Sequence, residues 1–160
     1  LTWSAFSFPL VVLAIDLTIR VLGKSIARAT ITLSYPLAII SSIVVLLIEG
    51  STESVAFRIG FASATAYGVS TLLDVYLFQI IRERYNAWWI APSISTIFAN
   101  IIDTYVFFFS AFSNSSDQYM ADNWLEISAT QSIIKIIIGL LLFLPFYGVL
   151  LNFILKKFKK

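Results

Sequence analysis

Apolar residues fill this chain in five long runs, separated by short polar or glycine-bearing stretches. The runs extend from Phe6 to Leu22, Ile31 to Ile48, Val55 to Ile81, Trp89 to Phe112 and Ile127 to Leu155. A helix that crosses a bilayer needs about 20 mainly apolar residues. None of the runs carries a polar face wide enough to meet water, as the surface helices of a soluble protein do. Gly23, Gly50 and the stretch Ser113-Asn114-Ser115-Ser116 mark three boundaries. Pro9, Pro36 and Pro92 are expected near helix starts, where a missing N–H costs little. Pro145 falls inside the last run and is expected to kink it. The pattern predicts an all-α, polytopic transmembrane bundle of five spanning helices, a single domain over residues 1–160.

Within the runs the polar positions are not scattered. Ser63, Tyr67, Ser70 and Asp74 recur at helical spacing in the third run, with Thr71 beside them. Thr96, Asn100, Asp103, Phe107 and Ser110 follow the same rhythm in the fourth, and Gln131, Lys135 and Gly139 share one stripe of the fifth. In lipid such stripes must face one another or a water-filled cavity, so they are expected to share an interior. At ~1.5 Å per residue, Asp103 lies ~20 Å and Lys135 ~12 Å from opposite ends of their helices, near one level in a ~30 Å core. An Asp103–Lys135 pair is therefore expected. Asp16 has Arg20 one turn away, which predicts a structural pair on one helix. Asp74 has no basic residue on its own face; it reads either as a clasp between helices or as a coupling group. Asp74–Phe78 (DVYLF) and Asp103–Phe107 (DTYVF) each set an aromatic ring one turn from a carboxylate. Such a group suits a flat heterocycle with adjacent N–H donors, or proton coupling.

Composition narrows the chemistry further. The chain is 59% hydrophobic and only 12% charged, against roughly a quarter charged in soluble proteins. Cysteine and histidine are both absent, which excludes disulfides, thiolate nucleophiles, zinc motifs and Ser-His-Asp triads. No enzyme activity, metal or cofactor is expected. Leu1 stands where a Met would, no basic leader precedes the first run, and the start reads as a truncation.

Charge also orients the runs. Arg20, Lys24 and Arg28, then Arg82 and Arg84, then Lys156, Lys157, Lys159 and Lys160 fall on one side if five helices alternate. Glu49, Glu53, Asp117, Asp122 and Glu126 fall on the other, with Arg58. The positive-inside rule places the basic side, and with it the C-terminus, in the cytoplasm. Trp3, Trp88, Trp89 and Trp124 are expected at the two interfaces.

The segments FSFPLVVLAIDLTIRVLGKSIAR, RIGFASATAYGVSTLLDVYLFQIIRER, WWIAPSISTIFANIIDTYVFFFSAF and FLPFYGVLLNFILKK resemble the queuosine precursor transporter family, also called the vitamin uptake transporter family. The likeness covers nearly the whole chain. It implies a six-helix protein of the inner membrane with both ends cytoplasmic, of which these runs are helices two to six. The fold would be similar to the substrate-binding subunits of energy-coupling-factor transporters. The implied activity is uptake of 7-cyano-7-deazaguanine or its aminomethyl form for tRNA queuosine salvage. Where the family often has Gln before the Leu73-Asp74-Val75 stretch this chain has Thr71, which weakens any role for an amide there and bears on which substrate is carried.

On that reading Asp103 or Asp74 accepts the N–H donors of the base, and Asn100, Gln131 or Lys135 donates to its carbonyl. Tyr67, Phe107 or an aromatic of the first run covers its face. The implied partners are the small 7-deazapurine and the lipid bilayer, with no nucleic acid; a second copy or a coupling module stays open. A competing reading is a scaffold or substrate-binding subunit of a larger membrane complex, docking through Ala62, Ala64, Ala66 and Gly68. An intramembrane aspartyl protease built on Asp74 and Asp103 lacks the glycine-flanked aspartate of that group.

Overall fold

A computed structural model describes residues 4–158, with side chains from 7 to 156. Trp3, Lys159, Lys160 and the side chain of Lys157 lie outside the described residues. Every regular element among these residues is helical: α1 (Ser4–Leu22), α2 (Lys24–Ile48), α3 (Glu53–Arg84), α4 (Ile90–Phe112), α5 (Gln118–Ile138), a π-helical turn (Gly139–Phe143) and α6 (Leu144–Phe158). The last three run on as one rod. By length and composition, α2, α3, α4 and the rod Gln118–Lys156 are able to cross a membrane.

Boundaries differ from the apolar runs where polar residues begin or end a helix. Lys24 and Arg28 do not form a loop; they lie in the first turns of α2. The break between α1 and α2 is Gly23 alone, at φ +93°, a backbone region that a residue with a Cβ enters only at a cost. Pro36 consequently sits mid-helix and not near a start. The last rod begins nine residues before Ile127 because Asp117 caps it, its carboxylate accepting from the Met120 N–H at 3.1 Å. Pro145 is accommodated by the π-turn that ends two residues before it. A proline ring crowds the carbonyl four residues back, here Leu141, and the wider turn relieves that contact.

α1 is the hub, packing against every other helix, while α3 packs most extensively along α4. α2 touches only α1 and α3 to any extent, and its outer face is apolar, with Leu33, Leu37 and Ile48 largely exposed. Two arginines tie helix ends together. Arg20 donates to the Trp88 carbonyl at 3.3 Å, so α1 ends beside the α3–α4 link. Arg58 donates to the Asn114 carbonyl at 2.9 Å, at the opposite end of the bundle.

In hydrocarbon, helices associate through close packing of small residues. Gly60, Ala64 and Gly68 form such a stripe on α3, all buried. A Cβ at Gly60 would lie 2.5 Å from the Ile43 side chain, and one at Gly68 would lie 2.9 Å from the Tyr35 ring. The small face of α3 is thus taken up by α2, and Ala62 and Ala66 are buried within the bundle too; none of it is left as a surface for docking a partner. Gly68→Leu is expected to lower stability by about 1–3 kcal/mol through overpacking, read as earlier thermal unfolding in detergent. Exposed Val69→Leu serves as the control and should stay within about 0.5 kcal/mol of the parent.

Candidate functional site

Four helices leave a cavity of ≈ 380 Å³ between them. Ser7, Phe8 and Val11 line it from α1, Ser63, Ala66 and Tyr67 from α3, Asp103, Phe107 and Phe108 from α4, and Gln131 and Lys135 from α5. A volume of a few hundred Å³, mostly apolar with few convergent polar groups, is the usual form of a small-molecule site.

The polar focus is an ion pair. Lys135 Nζ donates to Asp103 Oδ2 at 2.9 Å, with the two side chains 5% and 11% exposed. It is the one salt bridge among the described residues. The Lys135 ammonium also lies 5.3 Å from the centre of the Phe8 ring, within the range of cation–π attraction. One turn away on α5, Gln131 leaves its side-chain carbonyl buried without a hydrogen-bond partner. Tyr67 spends its hydroxyl on Ser34 of α2, 2.9 Å away, which fixes the ring as a wall of the cavity. Phe107 and Phe108 meet edge to face at 5.2 Å and close another wall.

Asp103, Lys135, Gln131, Tyr67 and Phe107 are therefore gathered at one place. Asp74 and Asn100 do not line it. Asn100 is fully buried, donating its amide to the Thr96 carbonyl at 2.7 Å. Ser70 and Thr71 turn back to carbonyls of their own helix, and Ser110 is exposed. Phe8, Val11 and Phe108 join the cavity without standing out in sequence, because an apolar residue carries no mark of which way its helix is rotated.

Asp74 belongs to a second buried group. It neighbours Asp16 of α1 and Ser95 of α4, and both carboxylates are 0% exposed. Ser95 Oγ lies 3.4 and 3.3 Å from the two oxygens of Asp16, while neither Asp74 oxygen has a hydrogen-bond partner. The expected Asp16–Arg20 pair is absent. Arg20 turns instead to the Trp88 carbonyl and to the Tyr147 hydroxyl, 3.2 Å away, because the end of α1 meets the α3–α4 link and α6. Among the described residues no cluster of three or more acidic residues could hold a metal ion.

A bundle of membrane-length helices closed around a solute-sized cavity is the architecture of a polytopic membrane transporter. The chain belongs to the family described as "Putative vitamin uptake transporter", which residues 2–150 match. It is 41% identical to the "Queuosine precursor transporter" of Escherichia coli (strain K12), the match covering 98% of this chain and 75% of that protein. It is 40% identical to the "Probable queuosine precursor transporter" of Haemophilus influenzae (strain ATCC 51907 / DSM 11121 / KW20 / Rd), over 98% of this chain and 71% of the relative. No solved structure matches it. The family is one of transporters, and the chain is not an enzyme.

Removing one partner of a buried pair leaves an uncompensated charge. Asp103→Asn is expected to destabilise the protein by about 3–5 kcal/mol, measured by thermal unfolding in detergent. Adding Lys135→Met to it should restore most of that loss, since no charge is then stranded.

Proposed function

We propose that this protein imports a queuosine precursor, a 7-deazaguanine with a cyano or aminomethyl group, by binding it in the cavity around Asp103 and Lys135. The observation that carries this reading is the buried acceptor–donor pair between aromatic walls, in a chain about 40% identical to two proteins named for such transport. A guanine-like edge offers adjacent N–H donors and a carbonyl. Asp103 accepts from the former and Lys135 or Gln131 meets the latter. Tyr67, Phe107 and Phe8 enclose the ring faces. Asp74 and Asn100 take no direct part in holding the base.

The pair also bears on which precursor fits. Asp103 and Lys135 neutralise each other, so an uncharged cyano-deazaguanine adds no unpaired charge to the cavity. An aminomethyl ammonium adds one, which an apolar enclosure disfavours. The cyano form is the preferred solute.

α1 is read as a fifth span, with the basic helix ends and the C-terminus on the cytoplasmic side of the inner membrane. A second reading makes the chain the binding subunit of a larger assembly, like those of energy-coupling-factor transporters, and its mark would be copurification with an ATPase module.

Binding of 7-cyano-7-deazaguanine to purified protein tests the assignment, with the aminomethyl form, guanine and a vitamin panel as competitors. Loss of a charge-assisted hydrogen bond of ~1.5–3 kcal/mol predicts roughly ten- to hundredfold weaker binding in the Asp103→Asn, Lys135→Met double variant. The aminomethyl form should bind about tenfold more weakly than the cyano form. Unchanged affinity in the double variant would refute the cavity assignment.

A further inference from the structure

The cavity does not use every buried ionisable group. Asp16 and Asp74 lie on different helices, adjoin one another, and are both 0% exposed. A single hydroxyl, that of Ser95, serves Asp16, and both oxygens of Asp74 are unpartnered. Carboxylates in membrane helices ordinarily pair with a cation or mark an ion pathway. Among the described residues no cation makes an ion pair with either carboxylate, and the Arg20 charge acts on Asp16 only from a distance. Arg20 is the nearest, one turn away on α1, and its guanidinium is engaged with the Trp88 carbonyl and the Tyr147 hydroxyl. Among the described residues, Tyr147 of α6 and Arg82 of α3 are the other titratable groups on that side, while α4 presents Ser95 and Thr96, neither of them titratable. Two buried carboxyl groups in contact cannot both be ionised without a counter-charge, and one proton held between them removes the conflict.

The pair also has a way out. A cavity of ≈ 10 Å³, about the room for one water, is bordered by Asp16, Thr96 and Tyr147. Thr96 is bonded to Asn100, a turn from Asp103 on the same helix. The Asp16–Asp74 site thus lies between the solute cavity and the basic end of the bundle, where Arg20 and Trp88 meet.

We infer that Asp16 and Asp74 form a proton-exchange site that couples solute entry to proton movement. The singly protonated pair takes up a second proton from the cavity side, forming a second carboxyl O–H, and breaks that bond to release the proton past Tyr147 and Arg20 at the basic end, keeping its first proton throughout. The transport half of this inference rests on the solute reading above; the protonated pair does not.

Reconstitution in liposomes enclosing a pH-sensitive dye tests the coupling. Addition of 7-cyano-7-deazaguanine to the wild type should acidify the lumen. Asp16→Asn and Asp74→Asn should abolish that signal while keeping deazaguanine affinity in detergent within about threefold. Uptake without a lumenal pH change, uptake driven by a sodium gradient, or normal acidification by either variant would overturn the inference. Infrared difference spectra of the wild type without any solute supply a readout independent of variant folding and of substrate identity. A carboxylic-acid C=O band that shifts in D2O at neutral pH is expected, and its absence would overturn the protonated pair even if deazaguanine binding holds. If the band is present and deazaguanine neither binds nor enters, the solute reading fails and the protonated pair stands.

Discussion

Hydrocarbon offers no hydrogen bonds, so each polar group that enters it must find its partner inside the protein. Much of this structure follows from that constraint. Serines and threonines fold back to carbonyls one turn earlier on their own helices, as Ser70, Thr71, Thr104 and Ser128 do. Groups that cannot be satisfied in this way bring helices together. Asp103 and Lys135 join α4 to α5, and Tyr67 and Ser34 join α3 to α2. Arg20 joins α1 to the α3–α4 link and to α6. The long apolar faces then need only point outward, which α2 does along most of its length.

Against that background the few unsatisfied atoms stand out. Both oxygens of Asp74, the carbonyl oxygens of Asn100 and Gln131 and the hydroxyl of Ser132 are buried without partners. Gln131 borders the solute cavity, Asp74 sits in the second acidic group, and Asn100 lies between them. A protein that only needed to fold would gain by replacing these groups with apolar ones of like shape. At Gln131 this fits a molecule that completes its polar network with the solute it carries.

Much of the helical plan is legible in the sequence, because length and hydropathy suffice in a bilayer and the rise per residue measures depth. Counting along two helices puts Asp103 and Lys135 at one level before any contact is known. Rotation about the helix axis is not legible in the same way. Asp16 and Arg20 have ideal spacing for a pair on one helix, yet α1 sits at the hub of the bundle, where α3 and α4 meet Asp16 and α6 meets Arg20. Phe8 and Phe108 look like ordinary packing residues until the helices around them are placed. The early start of α2 is hidden because Lys24 and Arg28 interrupt the apolar run while the backbone winds on through them.

The neutrality of the Asp103–Lys135 pair has an electrical consequence. A membrane at rest does work of about 2.3 kcal/mol per elementary charge per 100 mV on anything that moves through its field. A cavity whose two charges cancel moves none as the empty protein reorients. At the solute cavity the voltage therefore finds no charge to act on as the empty protein resets, and the electrical force on that step falls instead on the Asp16–Asp74 pair.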